Sequence, residues 1–261
     1  MTTPFLEKLF SLEGQVAVVI GGTGVLGGSL AEGLAQAGAK VIVSGRSPER
    51  GQVRVAAIEA LGCAATYFPV EATNKTSLES LAAEIWAKFG RCDVLLNCAG
   101  VNSGTPYEQI PEEEWHKVID GNLLSTHLAC QVFAPRMAEQ ELGGSILNIG
   151  SVTAHLPLSK VFAYAASKAA VVNLSQNLAR EYATRKVRVN VLCPGFFPAE
   201  QNRKLLDAER RAKILAQTPM ARFGEPNELI GAMLLMVSRT AGSFITGADY
   251  YVDGGFTSNR L

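Results

Sequence analysis

Five short apolar runs recur along the chain, at Val16 to Ile20, Val41 to Val43, Val94 to Leu96, Ser145 to Ile149 and Val187 to Leu192. The stretches between them carry helical periodicity, and this alternation restricts the fold more than any other feature. Runs that are apolar at nearly every position suit strands buried on both faces, so the rhythm predicts βαβ units around a parallel sheet. Asn74 to Phe89 shows the helical counterpart, with leucine, isoleucine and phenylalanine on one face and a stop at Gly90. The expected architecture is an α/β fold, a single doubly wound, Rossmann-type parallel sheet of about seven strands with helices on both faces.

Nothing interrupts this pattern. The 261 residues contain no Pro/Ser-rich linker, so one domain spanning 1–261 is expected, with a segment at about 194–219 closing over the site. Lysine plus arginine equals aspartate plus glutamate at 24 each, so overall charge draws the chain neither to nucleic acid nor to an anionic membrane. Met1 to Gln15 carries Glu7, Lys8 and Glu13 and does not read as a signal peptide; no later stretch is long enough to span a bilayer. A cytoplasmic protein acting on a small molecule is expected. Five cysteines without a CxxC pair suit a reduced compartment, and three histidines without zinc spacing predict no metal.

Immediately after the first strand comes Gly21-Gly-Thr-Gly-Val-Leu-Gly-Gly28, followed by a helix, Ser29 to Ala37, that ends at Gly38. Gly22, Gly24 and Gly27 form GxGxxG in strand-turn-helix context, where missing side chains let backbone approach a pyrophosphate at the positive end of a helix. Gly21, Thr23, Val25 and Leu26 belong to the same turn. The second strand ends in Val43-Ser-Gly-Arg46, with no carboxylate to receive a ribose diol or repel a 2′-phosphate. Arg46 could grip such a phosphate with its fork of donors, with Ser44 and Ser47 adding hydrogen bonds, so NADP(H) is favoured and NAD(H) remains open. Arg46 stacked on adenine or simply solvated is the alternative.

Three separated pieces complete the pattern: Asn122, Ser151 just after the run Ser145 to Ile149, and Tyr164-Ala-Ala-Ser-Lys168. Tyrosine and lysine four apart share a helix face, so an ammonium sits near the phenol. A phenol titrates near ~10, and a neighbouring cation favours phenolate, which would make Tyr164 a usable acid or base. Ser151, at the carboxyl end of a central strand, can hydrogen-bond the reacting oxygen.

Taken in order, these residues resemble the short-chain dehydrogenase/reductase family from about Leu12 to Phe256. The resemblance rests on the glycine-rich turn, Leu96-Asn-Cys-Ala-Gly100, Asn122, Ser151, Tyr164 with Lys168, Pro194-Gly195 and Val252-Asp-Gly-Gly255. It implies hydride transfer between a nicotinamide and a carbonyl or alcohol. Tyr164 would be the general acid/base, Ser151 would orient the substrate oxygen, Lys168 would bind the nicotinamide ribose and lower the tyrosine pKa, and Asn122 would hold a relay water. Asn97, Ala99 and Gly100 would line the adenosine side, Pro194, Gly195 and Phe196 the nicotinamide side. A homotetramer or homodimer is also implied. The chain departs from the family at Ile20 and Val25, where threonine and glycine are usual, at Glu71, where an aspartate normally meets adenine, and at Ala199, where threonine is common.

Within the family the turn and the segment from Pro194 to Leu206 look most like sugar-acid and polyol oxidoreductases of the mannonate (fructuronate) type. Gln201, Asn202 and Arg203 would place amides and a guanidinium over the site, or else face water from a lid helix. His155, four residues after Ser151, would line the substrate mouth, or be a solvated loop histidine. A 3-oxoacyl-[acyl-carrier-protein] reductase is the rival reading, disfavoured because an acidic carrier needs a basic docking surface and Ala138-Glu-Gln-Glu141 is acidic. A dinucleotide-sensing regulator without catalysis is the other, and it would not need four catalytic residues.

Overall fold

Seven strands form one sheet in the order β3-β2-β1-β4-β5-β6-β7, every adjacent pair parallel. They are β1 (Val16–Ile20), β2 (Lys40–Gly45), β3 (Ala65–Pro69), β4 (Val94–Asn97), β5 (Gly144–Ile149), β6 (Val187–Pro194) and β7 (Asp249–Val252). The computed structural model describes residues 4–197 and 207–258. Each apolar run is a strand, as its composition predicts; all of them but β1 extend further than the runs themselves. The edge strand β3 is half-buried and has no such run, so no periodicity marks it.

Because side chains alternate across a strand, each strand feeds two cores. Val16, Val18 and Ile20 of β1 join Leu78, Leu81 and Ile85 of α4 (Lys75–Phe89), Phe133 and Met137 of α6 (Ser125–Ala138) and Ala179 of α7 (Phe162–Tyr182). Ala17 and Val19 join Leu30 and Leu34 of α2 (Val25–Gln36), Val55 and Ile58 of α3 (Pro48–Ala60) and Met233 and Met236 of α9 (Ile230–Val237). Two helical layers therefore bury both faces of the sheet. A short α1 (Pro4–Phe10) precedes β1, and α8 (Ala208–Gln217) follows β6.

Three local devices fix the frame. The buried Asp93 accepts hydrogen bonds from the Val16 N–H and from Arg91 and Arg239, tying β1, β4 and the segment after α9 together. Arg188 donates to the carbonyls of Met236, Val237, Ser238 and Ile245, satisfying orphan acceptors at the end of α9. The helix from α5 (Glu112–Ile119) into α6 passes through a π turn, Asp120–Leu124, at whose centre Asn122 is fully buried. Strand order reverses between β1 and β4, and the carboxyl ends of those strands open the crevice in which such sheets bind ligand.

Candidate active site

The glycine-rich turn is anchored from β2. The Gly21 and Gly22 N–H groups both donate to the Ser44 carbonyl, at 2.8 and 3.1 Å. Gly21 has φ +85°, and a Cβ there would lie 2.5 Å from the Ala99 nitrogen; a Cβ on Gly27 would lie 2.4 Å from the Gly21 carbonyl oxygen. Gly21 and Gly27 are thus the positions that sterics forbid to any other residue. Gly24 has ordinary extended φ and N-caps α2, whose first turn carries no acid. The loop follows this path with the exposed Val25 opening the helix, so the substitution at that position does not obstruct it. A bare, positively polarised helix end behind two side-chain-free approaches fits a dinucleotide pyrophosphate.

On the outer side of this turn a cavity of about 310 Å³ is lined by Gly21, Thr23, Arg46, Glu71, Ala99 and Asp120, among others. Arg46 is exposed at its rim. Glu71 lies in the same wall but its Oε1 accepts from the Thr73 N–H and hydroxyl, so its carboxylate braces its own loop. Three residues expected at the dinucleotide have other partners or none. Ser44 is fully buried with an unpartnered hydroxyl, and it contributes its carbonyl instead. Ser47 caps α3 by accepting from the Arg50 N–H. Asn97 donates at 2.8 Å to Asn148, which donates to Ser175, so it stitches β4 to β5 and α7. Ala99 and Gly100 remain at the crevice, where a Cβ on Gly100 would lie 2.8 Å from Asn122 Oδ1.

On the inner side a larger cavity of about 480 Å³ is lined by Leu26, Ser151, Tyr164, Pro194, Gly195 and Phe196, with further residues from the loops. Ser151 follows β5 in extended conformation and caps the turn Val152–Ala154 by accepting from the Thr153 N–H at 3.1 Å. Its hydroxyl also hydrogen-bonds the Tyr164 phenol. Tyr164 stands in the first turn of α7, and one turn on Lys168 holds its ammonium 5.6 Å from the phenol ring centre while donating at 2.7 Å to the Ile149 carbonyl. Asn122 Oδ1 accepts from the Val101 N–H at 2.7 Å, and its amide donates to the Val101 carbonyl and the Ser167 hydroxyl. That grip pins the loop after β4 against α7. The four residues thus share one end of the crevice, two of them in its wall and two buried behind.

The electrostatics differ from expectation in one respect. Burial raises the Tyr164 phenol above 10.0, the Ser151 hydrogen bond opposes this, and the nearby Cys193 thiol adds to it. Burial also lowers Lys168 from 10.5 to about 8. Desolvation dominates at the phenol, so Tyr164 is a protonated donor rather than a phenolate.

The substrate residues read from sequence fare differently. His155 lies outside the wall of this cavity: its Nε2 is 3.0 Å from Asp249 Oδ2 and its ring packs edge-on against Tyr251, so β7 holds it away from the mouth. Gln201, Asn202 and Arg203, like Ala199, fall outside the described residues. The wall instead includes Asn102, Ser103, Ser159, Lys160 and Arg210, none of which the sequence singled out. Asn102 and Ser103 directly follow the Asn97 to Gly100 segment at the end of β4, which is the signal that could have found them; Lys160 and Arg210 carry no spacing signal.

Residues 24–257 match the family profile described as enoyl-(acyl carrier protein) reductase. The chain is a short-chain dehydrogenase/reductase. Members of this family similar to it act on CH–OH groups. The short-chain dehydrogenase/reductase is 34% identical to 5-keto-D-gluconate 5-reductase of Escherichia coli (strain K12), covering 96% of this chain and 98% of that one. It is 36% identical to the 3-oxoacyl-[acyl-carrier-protein] reductase of the same strain, covering 94% and 98%. Among solved structures it superposes on a gluconate 5-dehydrogenase from Burkholderia cenocepacia in complex with NADP and tartrate, with TM-score 0.93, 30% identity and coverage of 98% and 100%. A candidate D-mannonate oxidoreductase from Haemophilus influenza with bound NAD gives TM-score 0.89, 31% identity and coverage of 98% and 99%. Among the described residues no helix is long and apolar enough to cross a membrane, and no group of three or more potential metal ligands occurs.

Proposed function

We propose that this short-chain dehydrogenase/reductase interconverts a keto-sugar acid or ketose and the corresponding alcohol, with NADP(H) as preferred cofactor and Tyr164 as general acid/base. The observation that carries this reading is the half-buried Tyr164 in the wall of the inner cavity, hydrogen-bonded to Ser151 and with the Lys168 ammonium over its ring. Gly21, Gly27 and the start of α2 would hold the pyrophosphate, Arg46 a 2′-phosphate, and Pro194 to Phe196 the nicotinamide end. A bound nicotinamide dinucleotide supplies or takes the hydride. Ser151 positions the substrate oxygen, and Tyr164, protonated in this environment, donates to that oxygen in the reducing direction. Asn122, braced on Val101 and Ser167, keeps the β4 loop from shifting across the site.

The similarity to sugar-acid enzymes supports the substrate class, as do the polar groups of Asn102 and Ser103 in the cavity wall. A similar identity, 36% against 34%, to a 3-oxoacyl carrier-protein reductase keeps that substrate as the second reading. Replacing Tyr164 by Phe should lower turnover roughly a thousand-fold, in the range of a general acid–base group, while NADPH still quenches protein fluorescence. Near-normal turnover of the variant would remove the assigned chemistry. Assay of the wild type against 5-keto-D-gluconate, D-gluconate, ketoses, polyols and a 3-oxoacyl thioester separates the two substrates. NADPH binding without turnover of any of them would leave a non-catalytic sensor.

A further inference from the structure

Among the described residues that line the inner cavity, charge is confined to the loop before α7 and to α8. Asn102, Ser103, Ser151 and Tyr164 are neutral, whereas the wall formed by the loop before α7 and the start of α8 brings Lys160, Asp207, Glu209, Arg210 and Lys213 together. Two of the acids are already engaged: Asp207 caps α8 by accepting from the Arg210 N–H at 2.7 Å, and Glu209 pairs with Lys213 at 2.6 Å, one turn along the helix. Among the described residues Lys160 and Arg210 have no carboxylate partner. Arg210 is partly sheltered and spends one donor, from Nη2 to the Ser159 carbonyl at 3.1 Å, which leaves the rest of its fork available. That bond fixes the guanidinium beside Lys160, which itself adopts φ +65°, a conformation that a residue with a side chain takes only when its surroundings impose it.

We infer that Arg210, aided by Lys160, is the specificity-determining anchor for a substrate carboxylate, so that the enzyme selects sugar acids over the neutral sugars of the same skeleton. The inference rests on the sugar-oxidoreductase reading and narrows it. A planar fork held by one backbone bond is pre-organised for a bidentate carboxylate, and a lysine at its side adds charge without geometry. The acid end of the substrate would lie toward α8 and its carbonyl toward Ser151 and Tyr164, within one cavity.

The test compares 5-keto-D-gluconate with L-sorbose, in which a primary alcohol replaces the carboxylate, in the wild type and in R210Q, R210K and K160Q. R210Q should lower the ratio of kcat/KM for the acid to that for the ketose by roughly 30-fold, the worth of a charge-assisted hydrogen-bond pair, mainly through KM. R210K should recover part of the ratio, and K160Q should lower it less than R210Q. An equal fall for both substrates would make Arg210 a mere strut between α8 and the Ser159 loop, and an unchanged ratio would remove it from recognition; either overturns the inference while leaving the sugar reading intact. Calorimetry of D-gluconate binding to the NADPH complex covers the case in which neither sugar is reduced. Arg210-dependent binding would then sustain the anchor after the catalytic reading had failed, and equal or absent binding in wild type and R210Q would overturn it.

Discussion

Lys168 has lost its water and gained one carbonyl, and this exchange governs how the site responds to pH. Burial brings its ammonium down from 10.5 to about 8, while the Tyr164 phenol is pushed up, so protons leave the lysine first. Carbonyl reduction should therefore hold level below pH 8 and decline as pH rises through it, measured as kcat under saturating NADPH; a rate that climbs across that range would contradict the assignment. The same shift acts on stability. The folded lysine binds its proton less well than the unfolded one, so the cost of burying the charge is fully present below about pH 8 and is relieved between 8 and 10.5. Arg46 is exposed at the outer rim, with Lys117 in the same wall, and Arg46→Asp should lower the NADP-to-NAD ratio in kcat/KM; an unchanged ratio would show that the 2′-phosphate is read elsewhere. Helix spacing pairs Tyr164 with Lys168 and a strand end presents Ser151, because helices and strands have fixed periods, whereas Asn122 was legible only through the family resemblance. Residue types and intervals did not disclose that Asp249, 94 positions away, takes His155, or that Ser44 turns inward. Such choices depend on which partner the fold delivers, and chain spacing carries no record of it.

At the level of elements, the turn after β1 was readable in kind but not in detail. GxGxxG places the weight on Gly22, Gly24 and Gly27, whereas the close approaches fall at Gly21 and Gly27. Gly27→Ala drives a methyl toward the Gly21 carbonyl and must displace the loop; NADPH affinity should drop about tenfold, roughly 1.4 kcal/mol, by fluorescence titration. Retained affinity would mean that the loop yields without moving its donors. The strands buried on both faces announce themselves as apolar runs. β3 does not, because an edge strand with half-exposed faces needs no such run. The π turn at Asp120–Leu124 was equally silent, since its local pattern is that of an ordinary helix interior. It is nonetheless what seats Asn122 between Val101 and Ser167.

For the whole molecule, the parallel arrangement sends every strand's carboxyl end to one rim, so both cavities open there. The sheet ends in β7, a short edge strand whose Tyr250 is about half exposed at 48%. Unpaired edges of this kind invite covering by a second copy. A tetramer or dimer is expected by sedimentation, and Tyr250→Asp should shift it to smaller species; a monomeric wild type would refute this. The glycine-rich turn has a last consequence. The outer and inner cavities share no lining residue, yet the turn borders both, with Gly21 and Thr23 in one wall and Leu26 in the other, so a two-part ligand reaching from one to the other would cross it. An adenine nucleotide lacking the other half would compete with the cofactor yet leave room for a sugar acid, and the two small molecules would occupy the protein side by side.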